Sequence, residues 1–150
     1  MESILSNNFL QTKKIGKKLA KEILKKVKKN FRVLALKGDL GGGKTTFLQG
    51  FAEGLGIKEK ILSPTFVIMR KFKIKNKKSK FKYFYHFDCY RIQKMEEILN
   101  LKFKEIVSDF KSIIAIEWAE KIKKALPKGT IWINFEFVNK NTRKIIFFRK

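Results

Sequence analysis

The sequence predicts an α/β fold: a three-layer sandwich around a mixed, partly parallel sheet with β-hairpins. Three observations point there. Two short apolar runs, FRVLAL at 31–36 and SIIAIE at 112–117, are too short for helices and lack clean alternation. Strands buried on both faces read this way. A long amphipathic stretch precedes the first run. Near the end, two apolar strands flank the turn NKNT, which is the pattern of a hairpin.

The elements follow in chain order. Over 9–29, Ile15, Leu19, Ile23 and Val27 recur four apart beside Ala20 and Leu24, which predicts a helix with lysines on its other side. Lysines also crowd its C-terminal end, where cations meet the helix dipole favourably. FRVLAL is the first buried strand. A second helix begins inside GDLGGGKTTF, runs to about Leu55 and closes at Gly54 and Gly56. ILSPTFVIMRKFKI leads into a strand, NKKSK turns, and FKYFYHFD returns as another strand. Short helices are expected over Met95 to Leu99 and Lys102 to Val107. KSIIAIEW is a buried strand, 119–125 is weakly helical, and Pro127-Lys128-Gly129 turns the chain. IWINFEFV and RKIIFFR pair last.

Size and composition narrow the classes. The 150 residues suit a single domain over 1–150, and 44% hydrophobic content allows a proper core without disulfide staples. Fibrous, mucin-like, disulfide-framework and disordered classes are excluded. The one cysteine, Cys89, suits a reducing interior. No signal peptide is evident and no apolar window is long enough to span a membrane, so a cytoplasmic location is expected. The net charge of +23 predicts attraction to polyanions such as RNA. Genome composition is an equal explanation, because Lys, Phe, Ile and Asn have A- and T-rich codons. Arg, the better bidentate phosphate ligand, is scarce.

The strongest motif is Gly38-Asp39-Leu40-Gly41-Gly42-Gly43-Lys44-Thr45, a full match to G-x-x-x-x-G-K-[ST] between a buried strand and a helix. Its glycines let backbone amides wrap a phosphate at the helix N-terminus. Lys44 supplies a point charge to the β- and γ-phosphates, the Thr45 hydroxyl joins a Mg²⁺ shell, and Thr46 sits beside it in the first turn. The fold is therefore P-loop NTPase-like, with a nucleoside triphosphate and Mg²⁺ expected at the loop; the family resemblance given below makes the triphosphate ATP. Two acids end apolar strands: Glu117 closes IIAIE and Asp88 closes FYHFD. At the C-terminal edge of a parallel sheet they would face the ligand. The competing reading for each is a solvated strand-end acid or a salt bridge to one of the many lysines. Lys44, Asp88 and Glu117 are the candidate catalytic residues; Thr45 and Glu117 are the candidate metal ligands.

Several neighbours stay open. Ser63-Pro64-Thr65 is either a loop that senses the γ-phosphate or a simple turn. His86 shares a strand face with Asp88, as a neighbour of the site or as a packed histidine. Trp118 should face away from Glu117 and pack. Cys89 reads as a small buried residue and no nucleophile. Lysines 71, 73, 75, 77, 78, 80 and 82 alternate with Phe72, Ile74, Phe81 and Tyr83, which places the two sets on opposite faces. That fits a weak, salt-sensitive contact with nucleic acid or an ordinary half-buried hairpin. A small-molecule phosphotransferase would share the P-loop but usually carries an Arg-rich lid, and the region after the hairpin has Arg91 but no Arg cluster. A GTPase would need N-K-x-D, whereas Asn139-Lys140-Asn141-Thr142 has no Asp.

GDLGGGKTTF, SPTF, HFDCYR and IEWAE, in this order, resemble the TsaE (YjeE) family, the small ATPase of bacterial tRNA threonylcarbamoyladenosine synthesis. The resemblance covers about Thr12 to Arg143. It implies an ATPase that acts on the TsaB–TsaD pair and sustains its turnover, while carbamoyl transfer belongs to TsaD. It implies nucleotide contacts at Thr12, Gly41, Gly42, Gly43, Lys44, Thr45, Thr46, Asp88 and Arg143, and a switch at Ser63 to Thr65. Departures are modest: Gly42 replaces the usual Ala, Cys89 a Leu, and Ala119 a Pro.

Overall fold

The computed structural model describes residues 2–25, 32–63 and 67–149. Seven strands form one sheet in the order β1-β7-β6-β2-β5-β4-β3. They are β1 (Glu2–Ser6), β2 (Val33–Gly38), β3 (Met69–Lys73), β4 (Tyr83–Asp88), β5 (Ser112–Glu117), β6 (Ile131–Phe137) and β7 (Arg143–Arg149). The central four, β6-β2-β5-β4, are parallel. The outer pairs β6–β7, β1–β7 and β3–β4 are antiparallel.

Burial on both faces explains the runs without alternation. On β2, Leu34 and Leu36 face one core while Val33 and Ala35 face the other; Ile113 and Ile114 divide likewise on β5. The first core is covered by α1 (Phe9–Lys25) and α2 (Lys44–Gly54) through Ala20, Ile23, Phe47, Leu48 and Phe51. The second is covered by α3 (Met95–Leu99), α4 (Phe103–Ser108) and a 3₁₀ segment over Ala119–Ala125, through Ile98, Phe103 and Ile122. This is the three-layer sandwich expected.

Two details differ from expectation, and one expected span is described only in part. β1 is an added edge strand, paired with β7 from Glu2↔Phe147 to Ser6↔Arg143. The first helix is described to Lys25; the remainder of its expected span, and Phe31 of the first strand, lie outside the described residues. In the basic hairpin, Phe72, Ile74 and Phe81 are buried in the α1/α2 core, but Tyr83 packs on the opposite face, where Lys71 Nζ sits 4.1 Å from its ring centroid. Regular alternation fails because β4 begins only at Tyr83, after the turn.

Candidate functional site

The site lies where β2, β4 and β5 end at the N-terminus of α2. Gly43 caps that helix with φ 94°, and Gly41 has φ 71°, backbone that residues with a side chain rarely adopt. The loop tightens through the Gly42 amide, which donates to the Asp39 carbonyl at 3.0 Å. A Cβ at Gly42 would stand 2.9 Å from that oxygen, so the alanine usual in the resembled family would require a small shift of this loop. The first amides of a helix have no partner within it and favour anions.

Lys44 folds back over this loop. Its Nζ donates to the carbonyls of Gly38 at 2.6 Å and Asp39 at 2.8 Å. Burial pushes its ammonium below the ordinary lysine value, against the opposing pull of Glu117, Glu120, Asp88 and Asp39. The same Nζ lies 4.4 Å from the centroid of Trp118.

Asp88 and Glu117 stand opposite one another in the β4–β5 register. Period two turns both toward α2, since Phe84, four residues before Asp88, belongs to the α1/α2 core. Both are 3% exposed, so neither is a solvated strand-end acid. Glu117 Oε1 accepts from Thr45 Oγ1 at 2.8 Å, and Glu117 Oε2 lies 2.7 Å from His86 Nε2. Asp88 Oδ1 accepts from the Tyr90 amide at 2.9 Å, and Oδ2 accepts from Ser63 Oγ. Thr65 lies outside the described residues.

Two adjoining cavities share Gly41, Gly43 and Thr46. The larger, about 400 Å³, is lined by the loop with Thr45, Ser63, Asp88, Glu117 and Trp118. The smaller, about 240 Å³, is lined by Asn8, Thr12, Asn141 and Arg143 among others. Thr12 is buried and shares a 2.7 Å hydrogen bond with Ser6 Oγ. Arg143 Nη2 and Nε donate to the Gly41 carbonyl at 3.1 and 3.3 Å. Apart from residues 64 and 65 of the expected switch, which lie outside the described residues, every expected site residue lines one or both of these cavities.

Magnesium suits this donor set. Thr45 and Glu117 offer two hard oxygens, and among the described residues no three His, Cys, Asp or Glu side chains cluster as a metal cage. Mg²⁺ is commonly held by one or two protein oxygens together with substrate phosphates and water.

Trp118 packs against the second core as expected, but its ring also lines the cavity it was expected to face away from. The chain leaves the strand at Glu117, and Trp118 adopts φ 57°, so its ring lines the same cavity as Glu117. A positive φ at a non-glycine residue leaves no trace in the sequence pattern. The Gly38 and Asp39 carbonyls that seat Lys44 also went unpredicted.

A family model described as "Threonylcarbamoyl adenosine biosynthesis protein TsaE" matches residues 6–145. The chain belongs to the TsaE family. Relatives described as tRNA threonylcarbamoyladenosine biosynthesis protein TsaE include one from Rickettsia felis, 38% identical over 93% of this chain and 75% of that one. Another, from Haemophilus influenzae, is 36% identical over 83% of this chain and 75% of its own length. The crystal structure of Bacillus subtilis YdiB superposes with a TM-score of 0.69 at 31% identity, covering 97% of this chain and 83% of that one. The TsaE-type role is in threonylcarbamoyladenosine modification of tRNA, and membership supports an ATPase-type activity that uses ATP and Mg²⁺. No helix among the described residues of this TsaE chain is long and apolar enough to cross a membrane.

Proposed function

We propose that this chain is the ATP-hydrolysing subunit for threonylcarbamoyladenosine modification of tRNA, acting on a TsaB–TsaD complex to sustain its turnover. The reading rests on one observation: Thr45 and Glu117 meet at 2.8 Å beside an amide-lined loop, with Asp88 opposite Glu117 in register.

The loop amides from Gly41 to Thr46 and the Lys44 ammonium bind the triphosphate. They stabilise charge that gathers on the leaving oxygens as the γ-phosphate departs. To reach phosphate, Lys44 Nζ leaves the Gly38 and Asp39 carbonyls that hold it. Thr45 and Glu117 would hold Mg²⁺, which when bound neutralises phosphate charge. Asp88 accepts a hydrogen bond from the attacking water and aims it at phosphorus; Ser63, its present donor, gives way to that water. Thr12, Thr46 and Arg143 wall the smaller cavity and bind the rest of the nucleotide. The carbamoyl transfer itself belongs to a partner, and all of this chemistry fits within a single P-loop domain in the cytoplasm.

The test is ATP hydrolysis by the chain alone and with TsaB and TsaD, repeated with Lys44→Ala. Hydrolysis should fall by ~10²-fold or more in that variant. Glu117→Ala should weaken magnesium binding more than Asp88→Ala; unaltered affinity in both would remove the assignment of roles. A folded protein without saturable ATP binding in magnesium would end the proposal.

A further inference from the structure

The chain has one histidine, and it is sealed behind the site. His86 is wholly enclosed, at 0% exposure. It stands two residues before Asp88 on β4, so it shares the face turned toward α2. Parallel pairing of β4 with β5 sets it diagonally behind Glu117, with Nε2 2.7 Å from Oε2. Its other ring nitrogen, Nδ1, is buried with no hydrogen-bond partner among the described residues.

These facts assign the hydrogen. An ionised carboxylate oxygen only accepts, so Nε2 must carry the hydrogen for the short contact to be attractive. A hydrogen on Nδ1 instead would aim a lone pair at Glu117 and strand an N–H in the interior. Both outcomes are costly in a dry site.

We infer that His86 is a positioning residue: its Nε2–H fixes Oε2 of Glu117, so that Oε1 is presented to Thr45 and to the cation. This rests on the reading of Glu117 as a magnesium ligand. The physical need is plain. Glutamate has three side-chain torsions, and among the described residues only Thr45 otherwise holds this carboxylate. A carboxylate tied at one oxygen can swing; tied at both, it keeps the bearing a small, octahedral cation demands. A histidine present only to fill space would not need its nitrogen at hydrogen-bond distance from that acid.

Two substitutions separate the roles. Glutamine carries its amide nitrogen as many bonds from Cα as His86 Nε2, so His86→Gln keeps the donor. Asparagine carries it where Nδ1 stands, so His86→Asn loses it. ATP affinity is measured with magnesium and with EDTA, together with the magnesium concentration that half-saturates the protein–ATP complex. His86→Asn should need ~10-fold more magnesium, His86→Gln should stay near wild type, and the EDTA affinities should match throughout. A folded His86→Asn with wild-type magnesium demand overturns the inference. So does an equal loss in both variants. Nitrogen-15 NMR of the wild-type imidazole, unambiguous with one histidine, should show hydrogen on Nε2 and none on Nδ1; the reverse overturns it even if His86→Asn does not fold. Wild-type protein that binds ATP indifferently to magnesium would refute the proposed metal role itself, a separate failure.

Discussion

Cys89 follows the Asp88 carboxylate directly, yet its thiol is kept inert. Burial pushes the thiol up to about 12, the nearby Asp88 charge adds to the rise, Lys121 opposes it and Glu120 adds again. A disulfide reagent at pH 8 should therefore leave Cys89 untouched in the folded protein and label it after unfolding. The sign of the pH effect follows. In the unfolded chain the thiol ionises near its ordinary value of 9.0, while in the fold it does not. Its contribution to stability is complete below about pH 9 and is lost as pH rises from there toward 12. Urea midpoints at pH 8 and pH 10 should converge for Cys89→Ala relative to wild type. At this scale the sequence was most readable at the strand ends: Asp88 and Glu117 close apolar strands, and both line the larger cavity. It was least readable at Trp118, where one left-handed residue brings a ring packed on the second core round to the edge of the cavity as well.

Among the elements, α1 and α2 approach backbone to backbone. A Cβ at Gly16 would lie 2.1 Å from the Phe47 carbonyl oxygen, and one at Gly50 would lie 1.9 Å from that of Lys13. The contact is between main chains, so no rotamer change relieves it. Gly50→Ala should cost about 1–3 kcal/mol or more, read as a lower thermal midpoint. Because Thr12 rides on α1 beside Gly43, the same change should also weaken nucleotide binding. The helices and central strands were legible because each carries its own period or a solid apolar run. Met95–Leu99 was found with the expected bounds. β1 was not legible: ESILS is short, mostly exposed, and becomes a strand only through its partner β7. Such long-range pairing has no local signature.

Across the whole molecule the charge of +23 concentrates in part on one margin, where the lysines at 71, 73, 75, 77, 78, 80 and 82 are all exposed. β3 is an edge strand, and lysines on an edge also deter pairing with other chains. If the row contacts tRNA through phosphates, affinity should drop steeply between about 50 and 200 mM salt. Filter binding across that range decides it: a flat dependence would leave the lysines as edge protection and codon bias. The sequence could give the number of charges but not this clustering with Tyr83 and Tyr85 beneath Lys71, which requires the β3–β4 register.

The pairing of β1 with β7 sets an order of assembly. Arg143, which braces the glycine-rich loop at Gly41, enters from the seventh strand, and among the described residues the first strand has no neighbour in the sheet other than that one. During synthesis, the loop, Lys44 and both acids leave the ribosome well before the brace does. A nascent chain therefore carries the parts of the proposed nucleotide site without its closing wall, and gains the finished crevice only when β7 arrives and β1 docks against it.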